Sequence, residues 1–468
     1  MSSVKELLND GPAVISLGLP LFHEAFQGQS VSSLQLEWKP PCNGDPNLIA
    51  ALSKLWTDKV EKANEEAVKR MIDSSPILVD IEKAIDVIPG MKSNMILHAG
   101  PPIKWENMCG PMKGAVLGAC VYEGLAKDIE SAEKLVESGG IILDSCHHHN
   151  TVGPMAGIVS ASMYVFVVEN KTFGNKGFCT LNEGLGKVLR FGANGQDVID
   201  RLKWMEKILA PALKKAVLLS GGIDVKNLTA QALMMGDECH NRNVGGTLQF
   251  LKIITPCLLK TDTPLKDMQD IFDFIAGNVH FFLNLSMAAC KATADSMRGI
   301  ENCTLLYCMA RNGVEIGIRV VGLGDEWFTA PSGMPKGLFF SGFSEDDANP
   351  DLGDSTISEI AGIGAVAMAS APAIVKFVGG NASMAVESTL KMYEITQTKH
   401  RDYTIPALDF AGTPVGFDLR KIMEIGITPI INTGIAHKKP GIGQVGAGIL
   451  DAPKDGFLKA LSAFGKLL

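Results

Sequence analysis

Residues 140–154 have the sequence GIILDSCHHHNTVGP, and this stretch predicts how the surrounding chain folds. The apolar run at 140–143 is typical of a short buried strand, and the polar turn after it contains three of the nine histidines. The small residues at 155–162 predict a helix beyond the turn. Polar side chains crowded behind a strand end lie where α/β proteins place ligands, so this turn is the first candidate for a functional site.

The composition describes a large globular chain. Of the 468 residues, 46% are hydrophobic and 20% are charged, which is enough apolar material for roughly two to four domains. The net charge is −8 and no block rich in Lys and Arg occurs, so nucleic acid is not an expected partner. Residues 1–10 lack the layout of a signal peptide, and the apolar run at 360–375 is too short and too rich in Gly and Ala for a membrane span, so no membrane is expected.

The ten cysteines are scattered along the chain and include no CxxC pair. This usage is unlike the dense spacing of a disulfide-bonded secreted scaffold. A reduced, cytoplasmic setting is therefore predicted.

Strand and helix signals alternate over most of the chain and predict a mixed α/β or α+β fold with several domains. Two short strands flank a helix at 13–38, and one helix is predicted from 45 to about 71. The segment 352–390 is predicted to be largely helical. A strand at 427–432 contains Pro429, which favours an edge position.

Between 197 and about 300 the sequence pattern changes to long amphipathic runs, which predict a mostly helical domain or insert there. The predicted regions are an N-terminal α/β lobe (1–92), a central α/β region (93–196), a mostly helical domain (197–303) and a C-terminal α/β region (304–468).

The three consecutive histidines are His147, His148 and His149. In an extended segment alternate side chains point to opposite sides, so His147 and His149 would converge and His148 would point away. They could transfer protons or contact a substrate carboxylate, bind a metal ion, or be purely structural. No HxxxH or HExxH spacing supports a metal, so we expect no cofactor, with a divalent metal as the alternative left open. The candidates for a third metal ligand are Asp144, Cys146 and His240.

The sequence GPMKG at 110–114 has the parts of an anion-binding turn at the start of a predicted helix. Gly110 and Gly114 let the backbone come close, the N–H groups of the first helical turn face the anion, and Lys113 adds positive charge. A plain loop-to-helix turn is the alternative, because the Walker pattern is absent. Glu106, in the same Gly- and Pro-rich segment, is included among the catalytic candidates.

A second polar cluster, GDECHNRN at 236–243, lies between predicted helices. It is either the lip of an active site, with Arg242 binding a carboxylate through two hydrogen bonds, or a solvated helix connection. Arg311, near the end of a predicted strand, is a weaker candidate of the same kind. The candidate anion ligands of the cluster are Asp237, His240, Asn241, Arg242 and Asn243.

Five segments resemble the bacterial YlbE/AllG-type family, long described as a domain of unknown function. They are HAGPPI at 98–103, CGPMKG at 109–114, CHHHN at 146–150, GDECHNRN at 236–243 and GIAHKKP at 434–440. The resemblance extends along almost the whole chain. It also implies a multidomain α+β fold with a helical domain.

The resemblance implies a transferase subunit, part of an oxamate carbamoyltransferase in anaerobic allantoin and purine catabolism. Such a subunit works with FdrA/AllF-like and AllH-like subunits, so an oligomeric assembly is expected. Together they convert oxalurate and phosphate into oxamate and carbamoyl phosphate, from which a carbamate kinase makes ATP. The family also includes paralogues of unsettled chemistry.

The roles of individual residues follow from that chemistry. Phosphorolysis of a carbamoyl group needs a phosphate site, carboxylate recognition and stabilisation of the tetrahedral intermediate. Lys113 suits phosphate, Arg242 suits a carboxylate, and one histidine of the turn, with Asn150 beside it, suits proton transfer. The phosphate motif Ser-Thr-Arg-Thr of familiar carbamoyltransferases is absent, so another subunit could hold the phosphate.

Two alternatives stay open. One is a metal-dependent hydrolase acting on an amide or ureide, and the other is a non-catalytic scaffold that binds a small anion. The central structural prediction is that the three histidines and Lys113 line one shared cavity.

Overall fold

This computed structural model describes residues 11–36 and 39–467, and the first described residues form a small β-α-β unit. The strands β1 (Ala13–Leu17) and β2 (Ser32–Leu36) are parallel, and α1 (Pro20–Gly28) connects them. Parallel strands require such a crossover. The predicted end of the second strand at 37–38 and the predictions on residues 1–10 lie outside the described residues.

Two helices replace the single helix predicted from 45 to 71. They are α2 (Pro46–Leu55) and α3 (Asp58–Asp73). Thr57 between them is extended, with φ −134°, and its side-chain oxygen accepts a hydrogen bond from the N–H of Val60. The prediction was wrong because the apolar spacing continues across the break, whereas the break itself comes from a local N-cap.

The central region forms a four-stranded antiparallel sheet and a three-stranded sheet. Its elements are β3 (Pro76–Lys83), α4 (Ala84–Val87), β4 (Met95–His98), α5 (Gly110–Tyr122), α6 (Ile129–Glu137), β5 (Ile142–Ser145), β6 (Val159–Ser160), β7 (Tyr164–Asn170), β8 (Lys176–Thr180), α7 (Gln196–Trp204), α8 (Ala210–Ser220) and β9 (Ile223–Asp224). The strand orders are β8-β7-β3-β9 and β5-β4-β6. Strands β4 and β5 are parallel, with α5 and α6 in the connection between them.

The helix predicted at 155–162 is absent from the structure, where this segment contains only the two-residue strand β6. Met155 and Gly157 have φ +58° and +64°, a left-handed conformation that a right-handed helix cannot include. Small residues serve close packing here instead: a Cβ on Gly157 would stand 2.6 Å from the Cβ of Ala99.

The predicted helical character of the middle of the chain is confirmed. After α7 and α8 come α9 (Val225–Met234), α10 (Val244–Leu258), α11 (Leu265–Gly277) and α12 (Phe281–Ala294). Helix α12 is buried almost all round and packs against β7 and β8. The helical region therefore covers a face of the central sheet.

The C-terminal region adds three further sheets, with orders β12-β11-β10-β14, β13-β18-β17 and β15-β16. Its elements are β10 (Leu306–Asn312), β11 (Glu315–Val320), β12 (Phe328–Pro331), β13 (Lys336–Phe339), β14 (Leu352–Gly353), α13 (Ile357–Ile360), α14 (Val375–Val378), α15 (Ala382–Tyr393), β15 (Thr396–Ile405), β16 (Ala411–Phe417), α16 (Leu419–Ile425), β17 (Ile430–Ala436), β18 (Gln444–Asp451) and α17 (Asp455–Leu467). The prediction of a mixed α+β fold is confirmed.

Two predictions for this region need adjustment. The segment 352–390 is helical only in short pieces, because 3₁₀ turns at Gly364–Ser370 and Pro372–Ile374 interrupt it. The predicted edge position of the last strand is confirmed, but its bounds were wrong, because β17 spans Ile430–Ala436 instead of 427–432. Pro429 therefore precedes the strand, where its missing N–H interrupts no ladder.

One hydrophobic core contains buried residues from all four predicted regions, from Cys42 to Phe464. The boundaries near 92, 196 and 303 stay predictions. Within the described ranges no single helix is both long and apolar enough to cross a membrane, and α11 and the helix after it pass that test only together, as a pair bent by 76°.

Candidate functional site

The histidine turn is a 3₁₀ helix, Cys146–His149, which follows β5 directly and ends at Asn150 in the left-handed conformation. The expectation that His147 and His149 converge was therefore wrong, since it assumed an extended segment. In the turn His147 points into the core, whereas His148 and His149 lie on either side of Asp144.

Asp144 binds two of the three imidazoles. Its carboxylate oxygens lie 2.7 Å from His148 Nδ1 and 3.0 Å from His149 Nε2. Burial opposes ionisation, but these hydrogen bonds hold the pKa of Asp144 well below its usual range and raise the pKa of His149. The second nitrogen of His149 lies 2.6 Å from the carbonyl oxygen of Pro89, and Trp327 donates its indole N–H to His148 Nε2 at 3.1 Å. Both rings are therefore fixed on both sides.

His147 is buried between a thiol, an indole and a carboxylate. Its Nδ1 lies 3.3 Å from Cys308 Sγ, its Nε2 lies 3.4 Å from Asp354 Oδ1, and its ring meets Trp327 edge-on at 5.7 Å between centroids. Burial lowers the pKa of His147 despite the nearby charge of Asp354. Asp354 also accepts hydrogen bonds from the backbone N–H groups of Gly100 and Gly153.

The lysine turn lies at the start of α5. Lys113 Nζ is 5.3 Å from the centre of the Trp105 ring and donates to the carbonyl oxygen of Glu106 at 3.3 Å. A Cβ on Gly110 would clash with the carbonyl oxygen of Lys438, and one on Gly114 would stand 2.8 Å from Pro440. Both glycines therefore admit the close approach of the C-terminal GIAHKKP segment.

The second polar cluster is largely buried. Asp237 Oδ2 accepts the N–H of Gly246, and burial raises the pKa of Asp237 to about 6. Arg242 is the exposed member, with its side chain 38% exposed, and its Nε lies 3.7 Å from Asp237 Oδ1. Asn243 donates to the carbonyl oxygen of His240 at 2.7 Å.

His240 forms a buried pair with Glu359. The two are 2.8 Å apart, Nδ1 to Oε1. The neighbouring Glu238 accepts from the N–H of Arg242 and from Asn432 Nδ2. Burial raises the pKa of Glu238 to about 7, although the charge of His240 opposes this. Glu238 is therefore a buried titratable group that interacts with a neighbouring histidine, and such groups are common at functional sites.

A cavity with an empty volume of about 300 Å³, part of which is open to solvent, adjoins this pair, and we call it the central cavity. It contains two of the predicted anion ligands, His240 and Asn241, but its lining includes neither the histidine turn nor Lys113. The lining residues are Pro154, Met155, Leu185, Arg190, Phe191, His240, Asn241, His280, Leu283, Ser355, Gly434 and Gln444.

Arg311 does not face this cavity. It is fully buried, and its Nε and Nη2 bind the two carboxylate oxygens of Asp351 at 2.7 and 3.2 Å. Its Nη1 donates to Gly353 O and Thr356 Oγ1. With its donors already paired, Arg311 holds β10 to the segment that begins at β14.

Sequence reasoning missed the segment DLGDSTISE at 351–359, which supplies Asp354, Ser355 and Glu359 to these clusters. Its signal was a polar run beside small apolar residues, which indicates buried hydrogen bonding. Arg190, His280 and Gln444 carry no such signal, because each is an isolated polar residue in its own segment. Among residues 11–36 and 39–467, no three His, Cys, Asp or Glu side chains are grouped as metal ligands.

Comparison with known proteins gives four similarities. Residues 141–355 match the family model described as "Oxamate carbamoyltransferase subunit AllG". A protein of that name from Escherichia coli strain K12 is 45% identical over 410 residues, which are 87% of this chain and 98% of the relative. The "Uncharacterized protein YahG" of the same strain is 45% identical over 452 residues, 96% of each chain. A crystal structure of a conserved protein of unknown function from Enterococcus faecalis V583 has a TM-score of 0.86 and 49% identity, covering 87% of this chain and 98% of that one.

Proposed function

Because this chain belongs to the AllG family of oxamate carbamoyltransferase subunits, we propose that it helps convert oxalurate and phosphate into oxamate and carbamoyl phosphate. The observation that carries the proposal is the 45% identity to the AllG subunit across 98% of that protein. The family-model match over residues 141–355 includes the histidine turn and the GDECHNRN segment. We further propose a role in anaerobic allantoin and purine catabolism in the cytoplasm.

The reaction sets the requirements of the site. A phosphate oxygen attacks the carbamoyl carbon of oxalurate, the bond from that carbon to the oxamate nitrogen breaks, and the nitrogen takes up a proton. The site must hold phosphate, hold a carboxylate, stabilise charge on the tetrahedral intermediate and supply the proton.

The predicted residues divide into two groups by burial. Glu106, Lys113, His148 and Arg242 reach the surface, where a partner subunit completes the site in our proposal. Lys113 is the proposed phosphate ligand and Arg242 the sequence-based candidate for the carboxylate. The buried candidates are Asp237, His240, Asn241 and Asn243.

A histidine supplies the proton in this proposal, and two sets are available. His147, His148 and His149, with Asn150 beside them, form the set predicted from the sequence. His240, oriented by Glu359, is the buried candidate. A carboxylate that fixes the ring through Nδ1 leaves Nε2 for the substrate.

Partner subunits form part of the proposal. The related protein is named as a subunit, so this chain is expected to work with other chains. We propose FdrA/AllF-like and AllH-like subunits as those partners. Either of them would then contribute phosphate ligands that this chain does not supply.

A specific observation favours a second candidate, a non-catalytic binding subunit. The ring nitrogens of His147, His148 and His149 already lie near partners within the chain. Groups held in this way serve stability as well as they serve catalysis. In this second function the turn supports the fold and the partner subunits carry the chemistry.

The test is phosphate-dependent loss of oxalurate with appearance of carbamoyl phosphate. The purified chain alone should be compared with the chain assembled with both partner types, and only the assembly is expected to be active. An assembly that consumes oxalurate at the same rate without phosphate, or not at all, contradicts the proposed reaction.

The substitution His148→Ala, made in the assembled complex, distinguishes a catalytic role of the histidine turn from a non-catalytic one. A catalytic histidine is expected to lower kcat by about 100-fold or more. His23→Ala, at a half-buried histidine of α1 outside both polar clusters, is the control and should leave kcat unchanged. Full activity of the His148→Ala assembly would favour the non-catalytic role of the turn.

A further inference from the structure

Several polar side chains that line the central cavity have an unpaired atom. Asn241 Nδ2, His280 Nδ1 and Gln444 Oε1 have no hydrogen-bond partner within the described part of the chain. These three side chains are 8%, 5% and 6% exposed, and all line the same cavity. Because unpaired buried polar groups are destabilising, three around one space indicate a polar ligand.

Arg190 gives the cavity a positive charge. It is buried, and burial lowers its pKa to about 10, which leaves the guanidinium protonated at neutral pH. Its Nε and Nη2 donate to the carbonyl oxygen of Gly184, so Nη1 remains for a ligand. Glu183 is held separately by the backbone N–H groups of Leu189 and Arg190. A guanidinium beside the amide of Asn241 suits a carboxylate.

The same lining also offers hydrogen-bond acceptors. When His240 donates its Nδ1 proton to Glu359, its Nε2 carries a lone pair. Gln444 donates its Nε2 to the carbonyl oxygen of Gly446, which leaves Oε1 as an acceptor. The neutral ring of His280, whose pKa burial lowers to about 3, can accept or donate. An inorganic anion alone would leave these acceptors unused.

The volume of the cavity limits the size of the ligand that it can bind. The empty volume of the cavity is about 300 Å³ and includes open solvent, so the ligand must be small. Leu185 lines the cavity and is 37% exposed, so the cavity lies near the solvent on this side.

We propose that the central cavity binds a small planar ligand in which a carboxylate is bonded directly to an amide, the class that contains oxamate and the oxamate half of oxalurate. The choice of this class rests on the proposed function. Arg190 and Asn241 bind the carboxylate, and His240 and Gln444 accept hydrogen bonds from the amide N–H. The cavity thereby becomes the organic-substrate site of the assembled enzyme.

The first experiment measures oxamate binding by calorimetry, with the full chain alone and with the chain assembled with its partners. Oxamide, which has two amides and no carboxylate, and inorganic phosphate are the comparison ligands. We expect oxamate to bind and neither comparison ligand to displace it. Absence of oxamate binding in both preparations, or displacement of oxamate by phosphate at equal concentration, overturns the proposal.

The second experiment uses substitutions that keep the shape of the site. Asn241→Leu removes an amide that makes no hydrogen bond in the described chain, so the unliganded protein should keep its melting temperature or gain slightly. Arg190→Lys keeps the charge but loses the planar fork. Each is expected to weaken oxamate binding by about 10-fold or more, the usual worth of a hydrogen bond to a charged group.

Two arginine variants serve as comparison and control. Arg401→Lys, at an exposed ion pair with Asp73 and Asp402, should leave oxamate affinity unchanged. Arg242→Lys tests the other candidate for the carboxylate. A loss of affinity in Arg242→Lys with none in Arg190→Lys and Asn241→Leu assigns the ligand to the surface cluster and overturns the proposal.

The outcomes also separate this inference from the proposed reaction. If oxamate binds and the cavity variants weaken it while the assembly fails to consume oxalurate, the inference stands and the reaction fails. If the assembly consumes oxalurate with the same KM in wild type, Arg190→Lys and Asn241→Leu, the reaction stands and the inference is overturned.

Discussion

At the scale of a single residue, Asp354 connects the histidine turn with the segment that lines the central cavity. Its carboxylate accepts from the backbone N–H of Gly100 at 2.7 Å and of Gly153 at 3.1 Å, and it faces His147. Its chain neighbour Ser355 lines the central cavity. Gly100, which donates one of these hydrogen bonds, has a φ of +82°. A Cβ at this position would clash with the backbone of Asn312, so the position requires glycine.

Asp354→Asn should destabilise the protein. The amide can replace one acceptor oxygen, but its NH₂ would face a backbone donor and leave that N–H unpaired. We expect the free energy of unfolding to fall by about 1–3 kcal/mol, measured by urea denaturation. Asp346→Asn, at an exposed position of a nearby turn, should change it by less than about 0.5 kcal/mol. Equal effects of the two substitutions would contradict the role of Asp354.

Asp144 and His149 should make stability depend on pH in a defined direction. The pKa of His149 is raised in the folded state by its hydrogen bond to Asp144. A raised histidine pKa gives stability that is complete below the unfolded pKa, about 6.5, and is lost as the pH rises through the folded value. The pKa of Asp144 is depressed, so its contribution is present above about 3.9 and is lost as the pH falls below that.

The measurement compares wild type with Asp144→Asn by urea denaturation between pH 5 and 9. Wild type should be the more stable protein at pH 6, and the difference should shrink as the pH rises towards 8. The difference between the two proteins removes the contributions of histidines that Asp144 does not affect, such as His280 and His400, whose pKa values are lowered by burial. A difference that grows from pH 6 to pH 8 would show that the pair is not coupled in this way.

At the scale of secondary-structure elements, helix α12 packs closely against strand β8 in the core. A Cβ on Gly177 of β8 would clash with the carbonyl oxygen of Ala288 and stand 2.8 Å from the backbone nitrogen of Ala292. The strand therefore lies directly on the helix backbone. This contact places α12, and with it His280 at its N-terminal end, against the central sheet.

Gly177→Ala should separate these two elements and lower the free energy of unfolding by about 1–3 kcal/mol, since neither neighbour is a movable side-chain end. Thermal or urea unfolding measures the effect. Gly277→Ala is the matched control in the same region, because that position is exposed and a Cβ there meets nothing within 4 Å. A stable Gly177→Ala protein would mean that the backbone can shift at no cost.

At the scale of the whole molecule, one large hydrophobic core is accompanied by two smaller clusters of buried residues, and the N-terminal β-α-β unit lies outside all three. The core begins at Cys42, whereas Ile15, Leu17, Phe22 and Leu34 of the unit are exposed. The predicted boundaries near 196 and 303 fall at the start of α7 and at buried Cys303. Few breaks in packing are therefore available inside the core.

Limited proteolysis should reflect this arrangement. Chymotrypsin is expected to cleave first in the N-terminal unit, at exposed Leu36, and to leave a large resistant fragment, because the core protects the remaining chain. Mass spectrometry of the time course identifies the products. Resistant fragments that end near residue 196 or 303 would instead support the four separate regions predicted from the sequence.

Much of the fold could be predicted from local patterns. The strand before the histidine turn, the helical middle and the edge strand after Pro429 depend on apolar periodicity or on proline stereochemistry, which act over a few residues. The single helix at 45–71 and the helix at 155–162 were wrong because the N-cap of Thr57 and the left-handed Met155 and Gly157 break patterns that apolarity alone continues.

The sequence by itself determined which residue types are available for chemistry, and its GDECHNRN segment contained the buried pair's His240. Only the tertiary structure decided that His240 meets Glu359, that Arg190, His280 and Gln444 close a cavity beside it, and that the histidine turn is paired with Asp144 and Asp354 instead. These groups come from segments far apart in the chain. Their neighbourhood depends on how helices and sheets pack, and no local pattern carries that information.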